Sequence, residues 1–336
     1  MKKSLIALAV LAASGAVMAQ STVTLYGKAD VGLRKVTGAT TQMQENHSNR
    51  WGLLGTEDLG GGLKATFRLE NRFNLDTGAN NSGLPANIAP ATLMFRAQAN
   101  VGLAGGFGSV KLGRIYNPVE EINGNMDPFT NDGVAASQLN ALFLTRQDNA
   151  IRYDSPKMSG FAVQAIWSAA EGGANLLTPV PAGDPLGVVN DGVGISATYN
   201  AGPLYVGVGY NKKANTYDSN FTAIGASYAF GDAKLGLYYD TATIKNGTAV
   251  EASDDITGIF GTYKLGSGLV KMGLTWREKN TGVAGAASTT DKRYGFGYQY
   301  NLSKRTSLYA DYARNDFDAP ATTDTNGYQF GITHNF

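Results

Sequence analysis

Apolar and polar residues alternate one for one along most of this chain. In the stretch TVTLYGKADVGLR, Val23, Leu25 and Leu33 fall on one parity, whereas Lys28 and Asp30 fall on the other. Successive side chains of a β-strand point to opposite faces, so strict alternation predicts strands with one apolar and one polar face. The same alternation recurs in LKATFRLENRF, FAVQAIWS, LYVGVGYN, KLGLYYD, LVKMGLTWR and RYGFGYQY. Because no segment keeps a sustained helical period, the pattern predicts an all-β fold.

The connections between the predicted strands have two lengths, and the two lengths alternate along the chain. The short connections carry the Gly, Pro, Asn or Asp residues that tight hairpins need. The seven short connections are 57–62, 104–106, 155–160, 201–203, 231–232, 265–268 and 301–305. The eight longer, polar ones are 36–49, 74–91, 115–145, 169–192, 212–219, 241–255, 278–290 and 315–326. Seven turns and eight loops join sixteen strands.

This asymmetry favours a membrane barrel over a soluble β-sandwich. Bacterial outer-membrane barrels have short periplasmic turns, long external loops and an even number of strands. Backbone groups in lipid must all be paired, so a spanning sheet must close on itself. The mean hydropathy of −0.17 fits, because half of each spanning strand faces water. We therefore predict a sixteen-stranded antiparallel transmembrane β-barrel. A sandwich core has the same alternation, but charged residues line the opposite face of nearly every strand here.

The segment NGYQFGITHNF is predicted to close the barrel. Tyr328, Phe330, Ile332 and Phe336 share one parity and are expected to face lipid, with Phe336 in the periplasmic aromatic girdle. In a closed sheet this strand must pair with the first strand. We interpret these four residues as the barrel closure and as an assembly signal.

The beginning of the chain is predicted to be an export signal. Two lysines precede an apolar run from Leu5, and the small-residue end Val17-Met18-Ala19 suits cleavage before Gln20. We therefore divide the chain into a signal peptide, 1–19, and a barrel domain, 20–336. A secreted chain with 0 cysteines has no disulfides, so the fold itself must hold it together.

Several segments resemble general porins of the β-proteobacterial Gram-negative porin family. They are STVTLYGKADVG, SNRWGLLGTEDLGGGLKATFRLE, NVGLAGGFGSVKLGR, NAIRYDSPKMSGF, NLSKRTSLYADYA and GITHNF. The resemblance implies a homotrimer of sixteen-stranded barrels in the outer membrane, which passes ions and small hydrophilic solutes by passive diffusion. It also implies that the third external loop, here 115–145, folds into the lumen and constricts it. Outer-membrane lipid, lipopolysaccharide and the outer-membrane assembly machinery are the expected partners.

By parity, basic residues outnumber acidic residues on the predicted lumen wall. The basic ones are Lys28, Arg34, Arg50, Lys64, Arg68, Arg72, Arg96, Lys111, Arg146, Arg152, Lys234, Lys271, Arg277 and Arg293. The acidic ones are Asp30, Glu70, Asp148, Asp154, Asp240 and Asp311. The lipid-facing parity of Arg114 places this residue at the rim, or turned inward by a bulge.

The pore constriction is predicted to set basic wall residues against acidic loop residues. The wall residues are Arg50, Arg96, Arg146, Arg152 and Lys111, and the loop residues are Glu120, Glu121, Asp127 and Asp132. Arg50 and Arg146 match the arginine motif of the family directly, Arg96 matches it loosely, and Leu54 stands where the family often has a basic residue. Such a charge pattern biases which ions pass, so we expect a weak to moderate anion preference.

Other functions remain as alternatives. A substrate-specific channel for small organic anions or sugars would place aromatic or basic residues along the lumen, and Tyr26, Tyr205, Tyr238 and Tyr309 have inward parity. An outer-membrane hydrolase usually employs histidine, but the chain has only 2 histidines. His47 is placed in the first external loop and His334 against lipid. A surface adhesin or phage receptor is a third possibility. We predict no enzyme activity, cofactor, metal or nucleic acid partner.

Overall fold

The computed structural model describes the chain in nine segments. They are residues 21–80, 94–130, 132–137, 145–169, 189–215, 218–246, 249–280, 288–318 and 322–336. The predicted signal peptide, 1–19, lies outside the described residues and stays a prediction. Residues 131 and 138–144 of the predicted constriction loop also lie outside them.

The described residues form one antiparallel sheet of sixteen long strands and one short strand, together with one helix. The strands are β1 Thr22–Val36, β2 Gln42–Gln44, β3 Arg50–Gly60, β4 Leu63–Arg72, β5 Gln98–Gly105, β6 Gly108–Tyr116, β7 Arg146–Asp154, β8 Phe161–Ser168, β9 Val189–Ala201, β10 Leu204–Asn215, β11 Asp218–Phe230, β12 Ala233–Asn246, β13 Ala249–Leu265, β14 Gly268–Asn280, β15 Thr289–Asn301, β16 Thr306–Asp316 and β17 Thr325–Asn335. The helix is α1, Pro118–Met126. No helix in these segments is long and apolar enough to cross a membrane.

The sheet closes into a barrel where β1 pairs with β17. This antiparallel pairing runs from Lys28 opposite Asn335 to Val36 opposite Gly327. Each remaining long strand pairs with its neighbours in sequence, and β1 also pairs with β3. The three residues of β2 pair with β1 inside the first loop. The predicted sixteen-stranded antiparallel barrel is confirmed, with β2 as an addition.

The two parities of each strand face opposite sides of the barrel wall, as the alternation predicts. Leu25 and Phe330 are 58% and 56% exposed, whereas Asp30 and Gln329 on the other parity are each 0% exposed. The apolar parity therefore faces outward and the polar parity faces the lumen. Leu25 and Phe330 are exposed because lipid, rather than protein, is their expected surrounding.

Each of the seven predicted short connections overlaps a break between consecutive strands, although β3 continues to Gly60 within the predicted turn 57–62. Several are two-residue turns with glycine in the left-handed region, such as Gly202 at φ 57° and Gly231 at φ 59°. A positive φ strains residues with a Cβ atom. Glycine in the sequence therefore marks the positions of these turns.

The predicted loops 212–219 and 241–255 lie between the correct strands, but their predicted bounds are too wide. Strand β10 continues to Asn215 and β11 starts at Asp218, while β12 continues to Asn246 and β13 starts at Ala249. These residues are polar, and polarity alone does not distinguish a loop from the polar end of a strand. Where strands extend beyond the apolar band, polar residues still form the backbone hydrogen bonds between strands, because these bonds need only main-chain groups.

The predicted strand that contains Arg96 also begins later than expected, at Gln98, so Arg96 precedes β5 rather than lying on it. A register shift between Gly113 and Ile115 interrupts β6. Arg114 beside it donates from Nε to the carbonyl of Arg96 at 2.6 Å and pairs with Asp148. The bulge expected near Arg114 is present, and it ends the simple alternation at this point of the wall.

The outward surface carries an unusual contact at the closing seam. Gly27 and Phe336 exchange two backbone hydrogen bonds, at 2.9 and 3.0 Å. A Cβ atom at Gly27 would lie 2.2 Å from Cζ of Phe336, so the ring lies directly over the glycine. Tyr328 and Ile332 on β17 are exposed on the same face. Phe336 thus covers the seam between β1 and its partner.

Replacing Phe336 with alanine should lower the free energy of unfolding by about 1–2 kcal/mol, because the ring contact over Gly27 is lost at the seam that joins the first and last strands. The temperature at which the folded gel band converts to the unfolded band measures this. Phe230→Ala is the control, since Phe230 is 49% exposed on the outer face away from the seam. Equal losses in both variants would contradict a special role of the seam.

An apolar core lies inside the barrel, where side chains of loop 3 pack against the lumen wall. Val119, Ile122 and Met126 of α1 and Phe129 beyond it are each no more than 1% exposed. The sequence pattern does not predict this helix, although Asn117 followed by Pro118 is a typical helix start. The side chain of Asn117 accepts hydrogen bonds from the backbone of Val119 and Glu120. The helix is short and sits in a loop, where a helical period is too brief to detect.

These apolar side chains pack against lumen-facing glycines of the barrel wall. A Cβ atom at Gly225 would lie 2.7 Å from Cγ of Met126, and one at Gly209 would lie 2.9 Å from Cδ1 of Ile122. Phe129 similarly approaches Gly295, at 3.1 Å from such an atom. Glycine is required here because any larger side chain would push loop 3 away from the wall. The inserted third loop is therefore held by packing as well as by hydrogen bonds.

Candidate functional site: the pore constriction

Three arginines meet in one cavity of about 340 Å³ beside loop 3. Arg72 comes from the end of β4, Arg96 from the segment before β5, and Arg146 from the start of β7. Tyr116, Glu120, Thr130, Asp132, Thr145, Glu45 and Ser48 complete the lining. The arginines are distant in sequence, and the closed barrel with its inserted loop brings them together.

Tyr116 organises two of these arginines. Arg72 donates from Nη2 to the Tyr116 hydroxyl at 3.1 Å, and Arg146 donates from Nη2 to the same hydroxyl. The guanidinium carbon of Arg146 lies 4.3 Å from the centroid of the Tyr116 ring, within the range of a cation–π interaction. Two positive groups are thus held at one oxygen.

The position of Arg146 is fixed further by its neighbours. Its Nε donates to the carbonyl of Ala97 at 2.8 Å and its Nη1 to Oγ1 of Thr145 at 2.8 Å. These acceptors are neutral, so they orient the guanidinium without cancelling its charge. The arrangement can therefore attract a carboxylate, a phosphate or a simple anion into the cavity.

A second basic group surrounds the buried carboxylate of Glu70. Arg68 pairs with Oε2 at 2.9 Å, while Arg72 and Arg50 approach Oε1 at 3.7 and 4.0 Å. Tyr26 donates to Oε2 at 2.7 Å. One negative charge against three positive charges leaves this part of the wall basic, and the shared carboxylate keeps the arginines in place.

Arg152 joins the wall to α1, and Lys111 pairs with the wall residue Asp154, so neither residue lines the cavity. Arg152 pairs with Asp154 at 2.7 Å and also with Glu121 of α1. Lys111 pairs with Asp154 at 2.8 Å, and Gln164 donates to Glu121 at 2.6 Å. Each charge in this group has an opposite partner close by, so the group contributes less field to the pore than the three cavity arginines do.

The two remaining predicted acids have different surroundings. Asp127 is 5% exposed and accepts hydrogen bonds from the backbone of Phe129 and Ser137 at 2.8 and 2.9 Å. It shapes the turn after α1 and does not line the cavity. Asp132 does line the cavity, where Ser48 donates to its Oδ2 from both N and Oγ, at 3.0 and 2.7 Å.

Of the nine constriction residues predicted from the sequence, the structure brings four together in the cavity. These are Arg96, Arg146, Glu120 and Asp132. Arg50 is linked to them through Glu70 and Arg72, and Lys111, Arg152 and Glu121 form the separate group described above. Arg72 was placed on the lumen wall but not chosen, although β3 and β4 set it directly opposite Arg50.

Tyr116, Ser48 and Glu45 were not identified from the sequence. Tyr116 follows the bulge of β6, so parity does not predict its direction. Ser48 and Glu45 belong to the first loop, which was assigned to the external surface. His47, placed in the same external loop, is instead 5% exposed inside the barrel, with Nδ1 at 3.3 Å from Oδ2 of Asp30.

A sequence model described as Gram-negative porin matches residues 5–320. The chain belongs to the Gram-negative porin family. This porin is 31% identical to an outer membrane porin protein of Bordetella pertussis over 402 aligned residues, which cover 100% of both chains. It is 34% identical to outer membrane porin protein 32 of Delftia acidovorans, over 93% of this chain and 89% of that one.

A solved structure, the anion-selective porin from Comamonas acidovorans, superposes on this porin with a TM-score of 0.78. The two are 25% identical, over 94% of this chain and 100% of that chain. The OmpT loop-deletion structure of Vibrio cholerae has a TM-score of 0.71 at 18% identity, which shows the shared fold. The protein is therefore a pore of the outer membrane and not an enzyme, and the hydrolase alternative falls away.

Proposed function

We propose that this porin passes ions and small hydrophilic solutes by passive diffusion with a weak to moderate preference for anions. The single observation that supports this preference is the cavity that collects Arg72, Arg96 and Arg146 beside loop 3. Unit charges a few ångströms apart interact by roughly 1–4 kcal/mol in a partly wet pore, and salt reduces this. That is enough to bias which ions pass, and too little to trap them. The relative from Comamonas acidovorans is described as anion-selective, which agrees.

The reversal potential of the purified porin in a planar bilayer, under a tenfold gradient of KCl, tests the proposal. We expect discrete conductance steps and a potential that corresponds to faster chloride than potassium. A cation-favouring potential would mean that Glu45, Asp132 and the other loop acids dominate the field. Absence of conductance steps would contradict the passive pore itself.

A channel specific for small organic anions is the second candidate, because the paired arginines on Tyr116 also suit a carboxylate. The two candidates differ in how conductance depends on solute concentration. A general pore gives a current that rises in proportion to the salt concentration. A site that binds a dicarboxylate saturates, and the dicarboxylate then blocks the chloride current.

The pH dependence of selectivity should reveal the charge of Glu120. Burial raises the pKa of the Glu120 carboxyl to about 7, against the opposing pull of Arg146 and Arg72, while Asp132 and Glu121 add to the increase. An acid is neutral below its pKa, so between about pH 8 and about pH 6 the cavity loses one negative charge. We expect the anion preference to increase as the pH falls through this window.

Reversal potentials measured across that pH range check this expectation. Glu120→Gln should give a flat profile at the value that the unmodified porin reaches at low pH. A slope that persists in Glu120→Gln would assign the titration to another group and would contradict the prediction.

The assembly and surroundings of the porin are also proposed. We infer a homotrimer in contact with outer-membrane lipid and lipopolysaccharide, delivered after removal of residues 1–19 and inserted by the outer-membrane assembly machinery with the β17 segment as its signal. The broad apolar outer face, which includes Leu25 and Phe330, supports burial in lipid or between subunits. A gel band larger than the monomer in unheated sample, lost on boiling, tests the trimer.

A further inference from the structure

The first loop enters the barrel and lies against the lumen wall. Asn46, His47 and Asn49 are 0%, 5% and 1% exposed. The backbone N–H of Asn46 donates to Oδ1 of Asp30 at 2.6 Å, and the Asn46 amide donates to Oδ2 of Asp311 at 2.6 Å. Both aspartates are inward-facing wall residues of β1 and β16. Residues 45–49, which we name the loop 1 insert, are thus anchored inside the pore.

The loop 1 insert also holds the tip of loop 3. Ser48 donates two hydrogen bonds to Asp132, from N at 3.0 Å and from Oγ at 2.7 Å. The next residue, Gly133, has φ +78°, and a Cβ atom there would lie 1.6 Å from Oδ1 of Asn46. The two loops therefore meet so closely that only glycine fits at the contact. Neither loop can shift without changing the position of the other.

Two acidic residues at this junction lie between the arginine cavity and a neighbouring cavity whose charged lining is mostly acidic. Glu45 and Asp132 line both the arginine cavity of about 340 Å³ and a neighbouring cavity of about 310 Å³. The charged lining of the neighbouring cavity is Asp30, Arg34, Glu45, Asp76 and Asp132. A solute in either cavity therefore faces these two carboxylates, and their charge acts on ions in both.

We propose that the loop 1 insert is a second constriction element, in which Glu45 determines ion selectivity and Ser48 positions Asp132. The proposal rests on the proposed function, since it concerns the selectivity of the same pore. Glu45 itself is oriented by the backbone N–H of Asn49, which donates to its Oε2 at 2.6 Å. In a pore constricted by loop 3 alone, changes in the first loop would leave selectivity unaltered.

Reversal potentials of single variants test the role of Glu45. Glu45→Gln removes one negative charge without changing shape, so the chloride-to-potassium permeability ratio should increase about two-fold. Glu57→Gln is the matched control, because Glu57 is exposed on β3 near the periplasmic turn and lines neither cavity. An unchanged ratio in Glu45→Gln, or an equal change in Glu57→Gln, would overturn the proposal.

A double-mutant cycle tests whether Ser48 acts through Asp132. Asp132→Asn should raise the permeability ratio about two-fold, because a charge in the cavity is lost. Ser48→Ala should lower the ratio, because the carboxylate keeps only the backbone hydrogen bond and is free to shift towards the arginines, and Ser48→Thr should keep the original ratio. In the Asp132→Asn background, Ser48→Ala should have no further effect. An effect of Ser48→Ala that persists there would show a merely structural role and overturn the positioning claim.

The anion preference and the role of the loop 1 insert are tested by different outcomes. If the unmodified porin prefers cations, the proposed anion preference is wrong, yet Glu45→Gln still reports on the loop 1 insert. If the unmodified porin prefers anions and both Glu45→Gln and Ser48→Ala leave the ratio unchanged, the proposed function stands and the further inference fails. The folded gel band of each variant confirms that the barrel has assembled.

Discussion

Replacing Arg72 and Arg146 together with glutamine should remove most of the anion preference of this porin. Both guanidinium groups donate to the Tyr116 hydroxyl, so they place two positive charges at one point of the cavity. We expect the chloride-to-potassium permeability ratio to fall about three- to ten-fold, which corresponds to ~0.7–1.4 kcal/mol of lost attraction. The reversal potential under a KCl gradient measures the ratio directly.

Two comparisons separate the effect of charge from that of shape. Arg72→Lys with Arg146→Lys keeps the charge and loses the shared hydrogen bonds, so the ratio should stay within about two-fold of its original value. Arg305→Gln is the control for net charge, because Arg305 is exposed in the turn before β16. A large fall in the lysine variant would mean that guanidinium geometry, and not field strength, sets the selectivity.

Replacing Gly225 with leucine should reduce the conductance of each pore about two-fold or more. A Cβ atom at Gly225 would already lie 2.7 Å from both Cγ and Sδ of Met126, and a leucine extends further into the same space. Interiors packed at this density cannot absorb the added volume. The helix must move away from the wall, and the space it moves into is the lumen. Single-channel steps in a planar bilayer measure the change.

Gly261→Leu is the matched control for this substitution. Gly261 lies on β13, and a Cβ atom there would point to the outer face. The nearest atom to it would be Cδ2 of Leu235, at 3.1 Å. A leucine there adds apolar surface to the lipid side and should leave conductance unchanged. A larger conductance in Gly225→Leu would mean that α1 had moved out of the pore. That result would contradict the prediction that a larger residue at position 225 pushes α1 into the lumen.

The sequence and the structure agree best where the physical signal is local. The alternation from Val23 to Leu33 identifies the outward face because a strand has a two-residue period. Glycines such as Gly202 and Gly231 locate the turns because their φ values are positive. The pairing of the last strand with the first follows from the need to pair every backbone group in lipid. None of these inferences requires knowledge of which distant residues meet.

The constriction shows where such reasoning stops. Arg146 and Arg72 both line the cavity, but the sequence motif points only to Arg146. Parity does not predict the direction of Tyr116, because the β6 bulge disrupts it. Asp127 has the charge expected of a pore acid, yet its carboxylate is used by the turn that contains Phe129. Charge and parity therefore state which residues are able to line a pore, but not which ones do.

The sequence by itself determined the strand faces, the position of the turns, the even strand number and the need for closure. These depend on side-chain alternation and on the backbone freedom of single residues, which neighbouring residues decide. Only the tertiary structure decided that the loop 1 insert enters the lumen, that loop 3 packs against glycines of the wall, and which arginines share one cavity. Distances between charges on separate loops and strands depend on register, bulges and packing, and a linear pattern does not contain them.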